Sequence, residues 1–390
     1  MRLTLVLVAI LGSAPAFPDA PALAVDGIAH VAFRVSDVAA SRAFYSKLGF
    51  DQAFEFNDAA GTTAAYLKVS DRQFIELYRR GKADEPIGLM HVCFDVTAID
   101  RLRETYVGQG LAPSKTTKAR AGNLLFNLRD PENQVLEYTE YQPGSLHWNA
   151  RGTAKNDRRL SQHLFASAVA VKDLAAERAY YVSKLGFEDL GGTESARLRA
   201  PGASGEQIEL EPAGPDWKPH VVFIVPDLGR TVADLKGRSV PFQMRGSQAV
   251  VTDPDGNALI FTLEPAALAI LGLERRALEG WFTGDPDPLL AMFDPEITYV
   301  HSAATTKRLD GIAAVRSLLE SYRGTPLFDA FEIENPKVQL SGETGILTYR
   351  LIRHNGAAVS RWNATQVYHR NPEGWRVLHT HWSQAAQPQP

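Results

Sequence analysis

Sulfur is nearly absent from this 390-residue chain. There is one cysteine, Cys93, so no internal disulfide forms and no cysteine-rich metal knuckle is present. An excess of one charge is absent too: 41 Lys and Arg stand against 45 Asp and Glu, with no block of five or six like charges. That balance argues against a nucleic-acid footprint and against an acidic solvating tail. Beyond residue 24 no stretch approaches the ~18 uninterrupted apolar residues of a membrane-spanning helix. What is there is a globular balance, 45% apolar and 22% charged, which excludes disorder as the main state. The length allows two or three domains.

The N-terminus has its own grammar. Met1-Arg2 is a short positive start, residues 3–11 (LTLVLVAIL) are apolar but too short to span a bilayer, and two A-x-A sites follow at 14–16 and 22–24. This order predicts a secretory signal peptide over residues 1–24, cut after Ala24, and hence a periplasmic or secreted protein.

An internal repeat follows. Residues 37–50 (DVAASRAFYSKLGF) echo 173–187 (DLAAERAYYVSKLGF), residues 91–96 (HVCFDV) echo 220–225 (HVVFIV), and Asp130-Pro131 echoes Asp253-Pro254. Three echoes in one order, 123–136 residues apart, indicate a duplicated domain, since solenoid repeats are ~20–50 residues long. In the first copy residues 30–35 alternate as a strand, and Asp37 caps a helix that Gly49 stops. Strands are predicted at 64–69, 73–78, 90–96 and 134–138, and a second helix at 98–107. Asn133 sits in a turn at the position that tolerates positive φ. Each copy is two strand–helix–strands modules.

These motifs, above all FYSKLGF and the Asp-Pro turn before the last strand, resemble the vicinal oxygen chelate superfamily of glyoxalases, epimerases, bleomycin resistance proteins and extradiol dioxygenases. The resemblance implies paired βαβββ modules, with domains at 25–142 and 160–264, each module offering two metal ligands. The ligand positions it implies in the first copy are His30, Glu76, His91 and Glu137, spaced 46, 15 and 46 residues apart. Each lies in an apolar strand, where an unpaired carboxylate is costly. Two imidazoles and two carboxylates suit a divalent Zn, Ni, Co, Mn or Fe ion. In the second copy the positions hold Ala166, Glu209, His220 and Ile260, a degenerate set. A module-swapped pairing is conceivable, but one complete set beside one depleted set favours a site within the first copy.

The resemblance implies a metal that chelates two neighbouring substrate oxygens, with Glu137 or Glu76 moving a proton as catalytic base. A glyoxalase-like lyase, isomerase or epimerase acting on a small oxygenated molecule is the leading expectation. Extradiol ring cleavage ranks lower, because residues 122–130 lack the His and Tyr that branch places before its last strand. A non-catalytic binding or resistance protein is the other alternative.

From about residue 268 the pattern changes. Amphipathic helices at 271–282, 289–293 and 311–322, with a strand at 297–301 between the last two, precede four long alternating strands, an α+β order. Residues 308–311 (RLDG), 362–365 (WNAT) and 375–383 (WRVLHTHWS) resemble the SnoaL-like branch of the NTF2-like superfamily over 268–385. That implies a cone enclosing a small-molecule pocket and a homodimer through this domain. Tyr299, His301, Trp362, His379 and His381 are its candidate ligand-binding residues. The Tyr and carboxylates of the superfamily's ketosteroid isomerases cannot be placed from sequence.

Overall fold

The computed structural model describes residues 25–301, apart from 155, 203 and 216, and residues 308–385. The expected signal peptide lies outside the described residues. No helix among them is long and apolar enough to cross a membrane.

The first repeat folds as β1 (Val25–Val35), α1 (Val38–Lys47), β2 (Gln52–Asp58), β3 (Gly61–Lys68), β4 (Phe74–Arg79), β5 (Gly88–Val96), α2 (Ile99–Gly108), β6 (Thr117–Lys118), β7 (Leu124–Arg129), β8 (Val135–Glu140) and α3 (Leu146–Asn149). Local chemistry sets the boundaries. The Asp37 carboxylate caps α1 by accepting from the Ala39 and Ala40 amides. Gly49 releases the chain at φ 86°, and Asn133 takes φ 68° in the turn before β8. The eight strands form one sheet, ordered β2-β3-β4-β1-β5-β8-β7-β6. Its centre joins the two modules: β1 runs parallel to β4 and antiparallel to β5, and β5 runs parallel to β8. The four expected ligands therefore stand on four neighbouring strands of one repeat.

The second repeat comprises β9 (His163–Val171), α4 (Leu174–Leu185), β10 (Glu188–Asp189), β11 (Ala196–Arg199), β12 (Gln207–Pro212), β13 (His220–Ile224), α5 (Leu228–Gly237), β14 (Gln243–Arg245), β15 (Gln248–Thr252) and β16 (Ala258–Thr262). Its sheet has the same order, β10-β11-β12-β9-β13-β16-β15-β14.

The two copies grip each other reciprocally. Tyr45 of α1 donates to Asp253 at 3.0 Å, and Tyr181 of α4 reaches Asp130 at 3.5 Å. Asp255 accepts from the Ser36 amide, as Glu132 accepts from the Lys172 and Asp173 amides. Gln73 bonds both backbone groups of Leu164, while Glu206 accepts from the Ile28 amide. Phe50 meets Phe223, and Phe187 meets Phe94, with ring centroids 5.2 and 5.6 Å apart. One apolar core, from Val25 to Phe261, runs through both repeats. The echoes that revealed the duplication are thus largely contact residues between the copies.

This predicts unequal costs for two substitutions. Tyr45→Phe removes one buried hydrogen bond, worth about 1 kcal/mol. Asp253→Ala also strips the Asn257 side chain and the Asp255 and Asn257 amides of their acceptor, and should cost about 2–3 kcal/mol. Urea unfolding of the two variants measures both. Equal losses would mean that the carboxylate serves the tyrosine alone.

The last unit contains α6 (Pro265–Phe282), α7 (Asp287–Met292), β17 (Phe293–His301), β18 (Leu309–Asp310), α8 (Ile312–Glu320), β19 (Ala330–Ser341), β20 (Thr344–Asn355), β21 (Ala358–Asn371) and β22 (Gly374–Gln384). Its sheet, β18-β17-β22-β21-β20-β19, curls over the helices and encloses a cavity of about 600 Å³. Alternation along β22 turns Thr380 and Trp382 inward. His379 and His381 share the other face, so they do not line the cavity they were expected to line. His379 bonds Thr298 Oγ1 at 2.7 Å, and His381 is exposed.

Candidate metal centre

The sheet brings His30, Glu76, His91 and Glu137 together on one face. The His30 ring is the shared vertex. Its Nε2 lies 3.1 Å from His91 Nε2 and 3.4 Å from Glu137 Oε1, and its Nδ1 lies 3.3 Å from Glu76 Oε1. Ligands bound at 2.0–2.2 Å to a common ion stand about 3.0–3.5 Å apart; His91 and Glu137 stand at that spacing from Nε2, whereas Glu76 faces Nδ1, the other ring nitrogen. The ring atoms also ask for a partner. His30 Nδ1 is buried without a hydrogen bond, and two facing Nε2 atoms of neutral imidazoles can share only one proton between them.

Burial sets the protonation of the cluster. It pushes Glu76 and Glu137 up to about 8, with the Glu76 charge adding to the rise at Glu137. It lowers His91 to about 4 and pulls His30 well below its ordinary value. A metal-free cluster is therefore electrically neutral near pH 7, and a cation would restore the carboxylates. Cys93 adjoins the cluster. Its thiol, His30 and Glu137 offer ligand atoms within 4.8 Å of one another, and burial pushes the thiol up.

Tyrosines and a further histidine build the wall. The Tyr78 hydroxyl donates to Glu76 Oε2 at 2.7 Å, and Tyr66 lies 3.0 Å from Tyr78. Sequence reading missed His147, which comes from the polar segment after the first repeat. Ser145 caps α3 and places the His147 ring among Phe54, Phe74 and Tyr141. Its Nδ1 lies 2.8 Å from the Asn123 amide, and its Nε2, buried without a hydrogen bond, is 3.6 Å from Glu76 Oε1. Lys68 anchors this segment by donating to the carbonyls of Ala150 and Thr153. The one available signal was the Ser145 cap three residues before Trp148. The group opens onto a cavity of about 390 Å³, whose rim carries Arg120 stacked on Phe56.

The second repeat keeps two of the four positions, and among the described residues its ligand-type group is Glu209, Glu211 and His220. Glu209 and His220 pair with each other at 2.9 Å, with Glu211 nearby, while Ala166 and Ile260 join an apolar cluster with Phe165, Val222 and Ile224. In the last unit, Tyr299 and His301 line the cavity, and the Trp362 ring packs 4.7 Å from His301. Glu274 of α6, fully buried, accepts from Tyr349 and Tyr368. The three lie on separate elements, without a motif.

Residues 27–138 match the Glyoxalase/Bleomycin resistance protein/Dioxygenase superfamily, and residues 268–386 match the calcium/calmodulin dependent protein kinase II association domain. No curated protein sequence matches the chain. Among solved structures, the 2,3-dioxygenase LapB from Pseudomonas sp. KL28 is 15% identical, covering 62% of this chain and 93% of its own, with a TM-score of 0.50. The Mn(II)-bound glyoxalase from Novosphingobium aromaticivorans is 19% identical over 62% of this chain and 84% of its own, with a TM-score of 0.49. A ketosteroid isomerase candidate from Parabacteroides distasonis is 29% identical over 30% of this chain and 86% of its own, with a TM-score of 0.27. Residues 27–138 thus carry the match to the Glyoxalase/Bleomycin resistance protein/Dioxygenase superfamily, and the chain joins two sheets of one strand order, the fold shared with LapB, to an α+β unit that matches the association domain.

Proposed function

We propose that His30, Glu76, His91 and Glu137 hold a divalent metal ion, and that the first repeat is a glyoxalase-like lyase, isomerase or epimerase. The supporting observation is the His30 ring meeting three ligand-type side chains at 3.1–3.4 Å beneath an open cavity. The ion would supply positive charge to stabilise an enediolate or oxyanion of a substrate with two neighbouring oxygens. The remaining chemistry belongs to the chain. Tyr78 fastens Glu76, whose side chain is 3% exposed, whereas Glu137 is 14% exposed and looks into the cavity. Glu137 is therefore the better placed of the two to take and return a proton. The rings of Phe56 and Tyr66 limit water at the reacting face.

Residues 1–24 support export, which would place the reaction where glutathione is scarce and favours a substrate that is not a thiol adduct. The association-domain match supports self-assembly through the last unit, which light scattering of the purified chain reads directly. A second reading, extradiol ring cleavage, gains from His147, Tyr66 and Tyr78, which bring an imidazole and two phenols to the cavity by a route other than residues 122–130.

The test is elemental analysis of the full chain before and after chelation, with turnover of small α-oxygenated carbonyl compounds and oxygen uptake on catechols as activity readouts. About one divalent ion per chain, with activity lost on chelation, is the expected result. Metal-free protein that still holds its ligand without turning it over would replace the enzyme by a binding protein.

A further inference from the structure

The cavity over the four expected ligands has a cation at its mouth that no carboxylate meets. Arg120 lies on the turn between β6 and β7 and reaches across to the β2–β3 hairpin. Its guanidinium stacks on the Phe56 ring, 4.1 Å from the centroid. Its hydrogen bonds there are long, 3.5 Å to Thr63 Oγ1 and 3.4 Å to the Asn57 carbonyl. Among the described residues it forms no ion pair. A guanidinium held flat on a ring, with most of its N–H groups unspent, suits a planar anion bound through two parallel hydrogen bonds.

The turn that carries Arg120 is pinned. The Gly122 amide donates to the Ala119 carbonyl, and the Ala121 carbonyl accepts from the Leu146 amide at 2.8 Å. Gly122, at φ 94°, packs so closely on Ser145 that a Cβ there would stand 3.2 Å from the Ser145 Cα. The contact that seats His147 therefore also fixes the base of Arg120, and a cation held in place before binding loses less freedom on binding. Inward from Arg120 the wall turns aromatic, with Phe56 and Tyr66 edge to face at 5.6 Å. Burial and the Glu76 charge raise the Tyr66 hydroxyl, while the Arg120 charge opposes them, so that charge is felt inside the cavity.

The charge balance selects the anion. A divalent ion would cancel Glu76 and Glu137, leaving the one positive charge of Arg120 in a space of about 390 Å³. One carboxylate neutralises it, whereas a phosphate, at −1.5 to −2, would leave negative charge over. We propose that the substrate of the first repeat is a small, flat carboxylic acid, its two neighbouring oxygens at the ligand cluster and its carboxylate, at the far end, paired with Arg120. The placing of the oxygens rests on the metal-centre reading above; the placing of the carboxylate rests on Arg120.

Anaerobic calorimetry on the zinc-loaded full chain with 3,4-dihydroxybenzoate and its methyl ester tests this. The acid should bind about tenfold more tightly than the ester, the worth of a charged hydrogen-bonded pair. Arg120→Met should bring the acid down to the ester's affinity. It should leave the ester's affinity and the zinc content unchanged, which also shows that the cavity is still formed. His30→Ala should weaken acid and ester together and keep their ratio. A chain that takes up no zinc yet keeps an Arg120-dependent ratio would overturn the metal reading and leave the carboxylate site standing. The carboxylate site is overturned if neither probe binds, if acid and ester bind alike, or if the acid's advantage survives Arg120→Met, since the carboxylate would then sit elsewhere.

Discussion

His30→Ala should purify without stoichiometric metal. His30 is the one residue in reach of all three other ligands, so its loss removes a donor from the middle of the set. Partners that merely orient a ligand are worth 10–100-fold in affinity, and a ligand itself should exceed about 100-fold. His220→Ala, at the matching position of the second repeat, should leave the ion of the first repeat in place, because His220 belongs to a separate group with Glu209 and Glu211. Glu137→Gln should lower turnover by about 10²–10⁴, the usual worth of a general base. Elemental analysis of the three variants, each checked for folding by circular dichroism, reads the outcome. Full metal occupancy in His30→Ala would sink the assignment.

Metal uptake should release protons and tighten steeply with pH. In the metal-free chain burial holds Glu76 and Glu137 at about 8, so both carry protons at pH 6–7 and both must lose them to bind a cation. Apparent affinity should rise with pH up to about 8, by as much as about 100-fold per unit where both are protonated, and level off above. The same shifts act on stability. A carboxyl raised above its unfolded value stabilises the fold at low pH and loses that contribution as pH rises through about 8. His91, lowered to about 4, works the other way: its contribution is present above the unfolded histidine value and is lost on acidification. Below about pH 6.5 the lowered histidines offset the raised carboxyls, so the metal-free protein should weaken from about pH 6.5 toward pH 8, where added metal should raise its melting temperature most. Calorimetry in buffers of different ionisation enthalpy counts the protons. Uptake without proton release would contradict the protonated state of the pair.

The sequence showed the fold class well because the cues were local and repeated. Asp37, Gly49 and Asn133 mark the ends of elements, and alternation marked the central strands. Glu76 and Glu137 were singled out because the family resemblance implies ligands at their positions, and the equal 46-residue intervals after His30 and His91 agree with duplicated modules. His147 was missed because a single-turn helix in a polar connector has no periodicity, and only the packing of three aromatic rings makes that histidine part of the site. Arg120 and Glu274 were missed for a related reason: their significance lies in partners they have or lack on other elements. His379 and His381 show the reverse failure. Alternation put them on one face, but which face is decided by the way the whole sheet curls.

The reciprocal grip between the repeats has a consequence for dividing the chain. Each copy serves as the other's permanent dimer partner, with linkage built into the backbone. Tyr45, Asp130, Tyr181 and Asp253 carry that embrace, and none of them lies among the ligand positions of either sheet. A fragment ending near residue 158 would keep the metal ligands but bare half of a shared core. Such a fragment should associate with a second copy of itself, recreating between two chains what the tandem repeat holds within one.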